Sequence, residues 1–240
     1  EDAVSSYQNA VELKPERAET LFELGSTLFE LNDMESARES LAACFSIDPG
    51  HCDALYFLGR TLIELGDYRG AEEYFRQAAV IEPGRWDIAG YLGKVLYRDR
   101  MYTEAVDNLQ AALELDPPAT ELADFNYTLG CALQALNYVK PSLAALVAAE
   151  KAGCQEDDLA LRKALMYMQL RKWDEAEQEL AVASVHYRDE GELRYQMGRL
   201  YFLQNKIELA YQETVEAERI APESLKVRLQ KALCSARIND

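Results

Sequence analysis

The side chains able to move protons, attack a carbonyl or hold a metal are few and scattered. The chain has two histidines, His51 and His186, and five cysteines, Cys44, Cys52, Cys131, Cys154 and Cys234. The cysteines form an odd set without a C-x-x-C pair. No histidine stands at helical spacing from Cys44 or Cys131, so neither a zinc site nor a thiol–imidazole pair is expected. Such cysteines read as reduced thiols, which points to a reducing compartment, the cytoplasm. The neighbouring acids Glu72-Glu73 and Asp157-Asp158 fall on helix surfaces or in turns, where charge serves solvation. Gly66 and Gly70 follow a turn pattern instead of a phosphate-binding loop. No catalytic residue, cofactor or metal site is therefore expected, and the chain reads as a non-enzyme.

The remaining composition describes a chain with material enough to fold. Of 240 residues, 49% are hydrophobic, enough for a continuous core. Acidic residues number 42 against 25 basic ones, a formal charge of −17. That balance repels nucleic acid and anionic membrane surfaces and attracts basic segments. The longest apolar run near the middle, Leu143 to Ala149, is far shorter than the roughly 18 residues of a membrane span, so no membrane insertion is expected. The first residue is Glu1, and neither a start methionine nor a signal sequence opens the chain.

The elements that must position any site repeat. Pro15, Pro49, Pro83 and Pro117 recur every 34 residues, the period of a helix-turn-helix unit. With residue 18 as position 1, position 8 holds Gly25, Gly59 and Gly93, position 20 holds Ala37, Ala71 and Ala105, and position 27 holds Cys44, Ala78 and Ala112. Small residues are needed where antiparallel helices cross closely, with Leu24, Leu58 and Leu92 supplying bulk beside them. Asn32-Asp33 and Gly66-Asp67 fit a left-handed helix end followed by an N-cap. After Pro117 the register slips by three residues, read as a short loop insertion at 120–122. The organisation expected is a second helix of a partial repeat over 1–17, three repeats over 18–122, three more over 123–224, and a C-terminal helix over 225–240, either a cap or the first helix of a further repeat. Ala3, Tyr7 and Ala10 continue the register backward. Ser142 and Cys154 in the fourth repeat, and Lys163 and Arg188 in the fifth, depart from the pattern and predict a reshaped junction.

Small residues at positions 8, 20 and 27 with proline at 32 resemble the tetratricopeptide repeat family over almost the whole chain. The resemblance implies an all-α, right-handed superhelical solenoid of antiparallel helix pairs, in which stacked neighbours share one elongated core. It also implies a concave groove lined by first-helix positions 2, 5, 6, 9, 12 and 13. Positions 5 and 6 hold Phe22, Tyr56, Phe57, Tyr91, Tyr127 and Tyr195, and position 12 adds Phe29, Tyr97 and Phe202. Arg60, Lys94 and Arg199 stand at position 9, with Arg98 and Arg162 nearby, and Glu19, Glu23, Glu30, Asp53 and Asp87 edge the row. Cys131 is expected on this side. Aromatic anchors with interspersed cations suit a peptide or helical segment of a protein partner.

Two known uses of such grooves are not supported. Family members that hold acidic chaperone tails carry a lysine and asparagine clamp where this chain has Phe22, Ser26 and Phe57. The asparagine ladder of the sugar-transferase branch is replaced by Glu23, Phe57, Tyr91, Thr128, Arg162 and Gln196. His186 shares position 30 with Ile47, Ile81, Leu115 and Ile220 and reads as a partly buried structural histidine. The expected function is an interaction scaffold or adaptor. Its alternatives are a regulatory or substrate-recruiting arm of a larger enzyme, or a secretion or pilus-assembly chaperone, and self-association through the repeat ends stays open.

Overall fold

In the computed structural model, residues 2–13 and 17–239 are described, and among them every regular element is a helix. The chain divides into two compact units, one up to Ala132 and one from Leu133 on. The first contains α1 (Asp2–Leu13), α2 (Ala18–Glu30), α3 (Met34–Ile47), α4 (Cys52–Glu64), α5 (Tyr68–Ile81), α6 (Trp86–Arg98), α7 (Tyr102–Glu114) and most of α8 (Ala119–Ala135). The second contains the end of α8, then α9 (Val139–Lys151), α10 (Leu159–Gln169), α11 (Trp173–His186), α12 (Glu190–Leu203), α13 (Ile207–Ile220) and α14 (Leu225–Asn239). Pro15, the first of the repeating prolines, lies outside the described residues, as does the side chain of Ala3.

The turn inside each repeat is encoded by backbone hydrogen bonding. Asn32, Gly66, Arg100, Asn137, Arg171 and Asn205 all take positive φ, between 58° and 82°. Each ends a first helix in the same way. At Asn32 the N–H donates to the Phe29 carbonyl, and the Asp33 N–H reaches back to the Leu28 carbonyl, both at 3.0 Å. Carbonyls left open by the helix end are thereby satisfied. Asp33 and Asp67 then cap the second helices, accepting from the Ser36 and Gly70 N–H groups. His51, expected only as a loop residue, caps α4: its Nδ1 accepts from the Ala54 N–H at 3.2 Å.

The crossings need their small residues. A Cβ on Gly25 would sit 2.6 Å from Leu41 Cγ, one on Gly59 would sit 2.8 Å from Phe75 Cζ, and one on Gly93 would sit 2.7 Å from Leu109 Cγ. Position 8 thus receives the large residue of position 24 on the following helix. Ala37, Ala71, Ala105, Ala176 and Ala210, and the residues Cys44, Ala78, Ala112, Ala149, Ala183 and Ala217, are all fully buried. Within the first unit the first helices α2, α4 and α6 also touch one another, forming a layer of their own.

Three expectations are corrected. Residues 120–122 are not a loop, because α8 begins at Ala119 and absorbs the three extra residues as an added turn. Pro118, just before the helix, gives up no needed donor, and its carbonyl accepts from the Glu121 and Leu122 N–H groups. Glu121 in that first turn favours the positive end of the helix dipole. His186 is exposed, as are Ile47, Ile81, Leu115 and Ile220, because position 30 ends the second helix in solvent. Cys131 is buried within α8, 2% exposed, and does not open onto a groove.

The irregular fifth repeat is held by charge. Lys163 replaces the leucine of position 7, and its side chain is 3% exposed. Its ammonium donates to Glu150 on α9 and bridges to Glu179 on α11, each at 2.7 Å. The apolar stem fills the leucine's place while two carboxylates compensate the buried charge.

Candidate functional site

The twelve groove residues expected from the sequence are divided between the two units. Nine lie in the first unit, and Arg162, Tyr195 and Arg199 lie in the second. Each group has its own geometry.

In the first unit the rings meet edge to face along α2, α4 and α6. Phe22 packs on Phe57 at 5.8 Å between ring centres, Phe57 on Tyr56 at 5.4 Å, and Tyr56 on Tyr91 at 5.9 Å. Phe29 meets Phe57 at 5.6 Å. The row then ends on Phe125 of α8, 6.1 Å from Tyr91 and 6.3 Å from Trp86. Edge-to-face pairs of this kind gain about 0.5–1.5 kcal/mol each beyond their burial. Tyr56, at 7% exposure, is the floor of the row, whereas Phe22, Phe57 and Tyr91 are only half-buried. Burial pushes the Tyr56 and Tyr91 hydroxyls well above their usual value, so both stay neutral at ordinary pH.

Phe125 was missed in the sequence, although a signal existed. Position 5 of successive repeats reads Phe22, Tyr56, Gly90 and Tyr127, and the gap at Gly90 is where Phe125 enters. A Cβ on Gly90 would lie 2.1 Å from the ring's Cζ.

Cations lie over these rings. The Arg60 guanidinium carbon is 4.8 Å from the Phe29 ring centre, 4.9 Å from Tyr91 and 5.6 Å from Tyr56. Lys94 sits 4.9 Å from the Tyr91 centre and is ion-paired with Asp124. Arg85, which the sequence did not single out, lies 5.4 Å from Tyr56 and bridges Asp53, Asp87 and Glu82. Farther along α6, Arg98 covers Tyr68 at 3.8 Å and Tyr97 meets Tyr102 at 5.8 Å. Lys94, Tyr97 and Arg98 line a cleft of about 240 Å³ with Ile63, Tyr68, Val95 and Thr128. Tyr127 is half-buried on α8.

In the second unit, Tyr195 is flanked by Arg199 at 5.9 Å and Lys226 at 5.0 Å. These three border a cleft of about 220 Å³ whose apolar wall is Phe202, Leu203, Leu229 and Leu233. Arg162 stands apart from it, bonded to Asp158 and Gln134.

No chemistry of bond making is apparent in either group. Cys44, Cys52 and Cys234 are buried free thiols. Burial pushes Cys44 and Cys52 up to about 11, which keeps them protonated and unreactive. Among the described residues no cluster of histidine, cysteine and acid could hold a metal, and no helix is long and apolar enough to cross a membrane.

Antiparallel helix pairs with glycine and alanine at their crossings, and side-chain rows along the first helices, define a helical-repeat protein-interaction scaffold. The chain carries tetratricopeptide repeats: models of that repeat match residues 18–51 and 56–120. No curated protein matches the sequence. Among solved structures, PilF of Pseudomonas aeruginosa is 18% identical with a TM-score of 0.69, covering 90% of this chain and 96% of its own. YrrB, described as having an unusual peptide-binding site, is 19% identical with a TM-score of 0.66, covering 88% and 98%. MamA of Desulfovibrio magneticus RS-1 is 20% identical with a TM-score of 0.60, covering 70% and 93%. At these identities the likeness is one of fold.

Proposed function

We propose that the protein is an adaptor whose first-helix face on α2, α4 and α6 holds an extended or helical segment of a partner protein. The observation that carries this reading is the row from Phe22 to Tyr91. It keeps half-buried rings and a cation together on one face, beyond what the glycine and alanine crossings need for packing. Rings of this kind supply large contact area at little cost in side-chain entropy, and cations orient what they hold. Tyr195 and Arg199 with their apolar cleft form a second contact point in the other unit. The peptide-binding site ascribed to YrrB is compatible with this use of the scaffold, but the residues invoked are this chain's own. Buried thiols at Cys44, Cys52 and Cys234 support a cytoplasmic setting.

The test is capture of partners from lysate by the intact chain and by a Phe57→Ala/Tyr97→Ala variant whose helicity is first checked by circular dichroism. Partners identified by mass spectrometry should be lost or reduced at least about tenfold in the variant, as expected for two aromatic anchors. Unchanged recovery with an intact fold would remove the first-helix face from the binding surface.

A further inference from the structure

We propose that the Arg60 guanidinium is a receptor for one carboxylate side chain, an aspartate or glutamate in the interior of the bound segment; this rests on the binding-face reading above. Arg60 is held by rings from three helices: Phe29 of α2, Tyr56 of its own α4 and Tyr91 of α6. One guanidinium nitrogen donates to the Tyr56 hydroxyl at 3.3 Å. Among the described residues the other N–H groups find no protein acceptor, and no carboxylate lies within ion-pair distance. A guanidinium carries five donors in a rigid planar fork, a shape matched by a carboxylate.

The neighbourhood explains why the charge is left over in so acidic a chain. Asp53 and Asp87 are taken by Arg85, Asp124 by Lys94, and Glu23 accepts from the Tyr7 hydroxyl at 3.4 Å. Tyr56 and Tyr91 are neutral phenols, so neither ring supplies the missing negative charge. Arg60 is thus an uncompensated cation fixed between flat apolar walls, which favours an anion with carbon on both sides of it. Rings and cations continue in both directions, through Phe22 and Phe57 on one side and Lys94 on the other. A segment lying there runs past Arg60, which favours an internal acid over a chain terminus. Because the chain carries a net charge of −17, the segment is otherwise neutral or basic.

The test uses fluorescein-labelled short peptides. Each places one central glutamate between aromatic and aliphatic residues, with lysines at both ends, and has a glutamine twin. A third set carries no internal acid but a free C-terminal carboxylate. Fluorescence anisotropy should show the glutamate peptides binding the wild-type chain at least about tenfold tighter than their twins, the usual worth of a charge-assisted hydrogen bond. Arg60→Gln should abolish that difference between the glutamate peptides and their glutamine twins. Arg60→Lys should restore only part of it, since an ammonium lacks the planar fork. Equal binding of glutamate and glutamine peptides, with both weakened by Phe57→Ala, would overturn the carboxylate role and leave the binding face standing. Binding confined to the C-terminal carboxylates would overturn the internal acid. No binding by any peptide would overturn the face and the receptor together.

Discussion

The two units hold the same backbone repeat with different core chemistry. Up to Ala132 the crossings are glycine against leucine or phenylalanine, the first helices share a row of rings, and the buried polar residues are Thr61 and Thr128. From Leu133 on, Ser142, Lys163, Gln196, Thr214 and Gln230 are buried instead. Most of these satisfy themselves nearby: Thr214 donates to the Ala210 carbonyl, Gln196 to Glu192, and Lys163 to its carboxylates. The small positions 20 and 27 do not vary in this way, apart from Ser142 at position 20 and the small thiol of Cys44. The repeat therefore fixes where helices may approach and leaves open how the space beside each crossing is filled. The first unit should consequently be sensitive to volume and the second to charge.

The largest effect is expected where volume has no slack. Gly90→Leu drives a side chain into Phe125, whose ring is 0% exposed and lies 2.1 Å from where even a Cβ would stand. Overpacking usually costs about 1–3 kcal/mol, but here the first added carbon already clashes. The expected loss exceeds about 5 kcal/mol, the lower range of a domain's whole stability, and should unfold the first unit. Hydrogen exchange resolved by residue measures it: protection should vanish in α6 and α7 and persist in α12 and α13. Retained protection in α6 would show that Phe125 can leave its seat cheaply. Phe125→Ala should cost somewhat less, about 3–5 kcal/mol, since it leaves a cavity.

Charge should dominate in the second unit. Lys163→Ala strands Glu179, which is half-buried, and Glu150 without their cation, at a cost of about 3 kcal/mol or more. A Lys163→Leu/Glu179→Leu double variant, which restores the apolar pattern, should be within about 1 kcal/mol of wild type or more stable. Denaturant melts of the two variants decide between an ionic lock and mere filling of space. The pH dependence follows from the lysine. Burial alone would depress its pKa, but hydrogen bonds to Glu150 and Glu179 outweigh that and hold it above the ordinary 10.5. Because the folded value is raised, this contribution is fully present below 10.5 and fades as pH climbs through the folded value. Wild type should therefore lose stability above about pH 10.5 more steeply than the double variant. Parallel alkaline melts would remove the lock from the account.

Much of this architecture is legible in the chain, because small residues at fixed spacing have a single steric meaning. Gly25, Gly59 and Gly93 announce crossings, and Asn32-Asp33 and Gly66-Asp67 announce turns. What escaped depends on which helices become neighbours. Lys163 looks like a defect until Glu150 and Glu179 arrive from the helices on either side. Residues 120–122 look like an insertion until Pro118 is seen to start a helix one turn early. His186 seemed half-buried because it aligns with isoleucines and a leucine, yet those are themselves exposed. The aromatic row was visible as residue types, but the residue types alone do not say that Tyr56 is buried against Phe75 while Phe57 and Tyr91 stay half-buried.

The smallest effects should show where the two units do not differ. Arg100 closes a turn in the first unit at φ 63°, and Arg171 closes the equivalent turn in the second at φ 58°. A side chain in that region costs roughly 1–2 kcal/mol, and glycine relieves it while giving back about 0.5–1 kcal/mol of chain entropy. Arg100→Gly and Arg171→Gly should each stabilise by up to about 1 kcal/mol, and by the same amount. Both arginines end their helices with the same pair of backbone hydrogen bonds, Arg100 N–H to Tyr97 and Arg171 N–H to Met168, each at 3.1 Å. Urea midpoints of the two variants measure the effect. Equal shifts would confine the contrast between the units to their side-chain cores, whereas a gain at Arg100 alone would mean that the backbone of the turn also feels the chemistry around it.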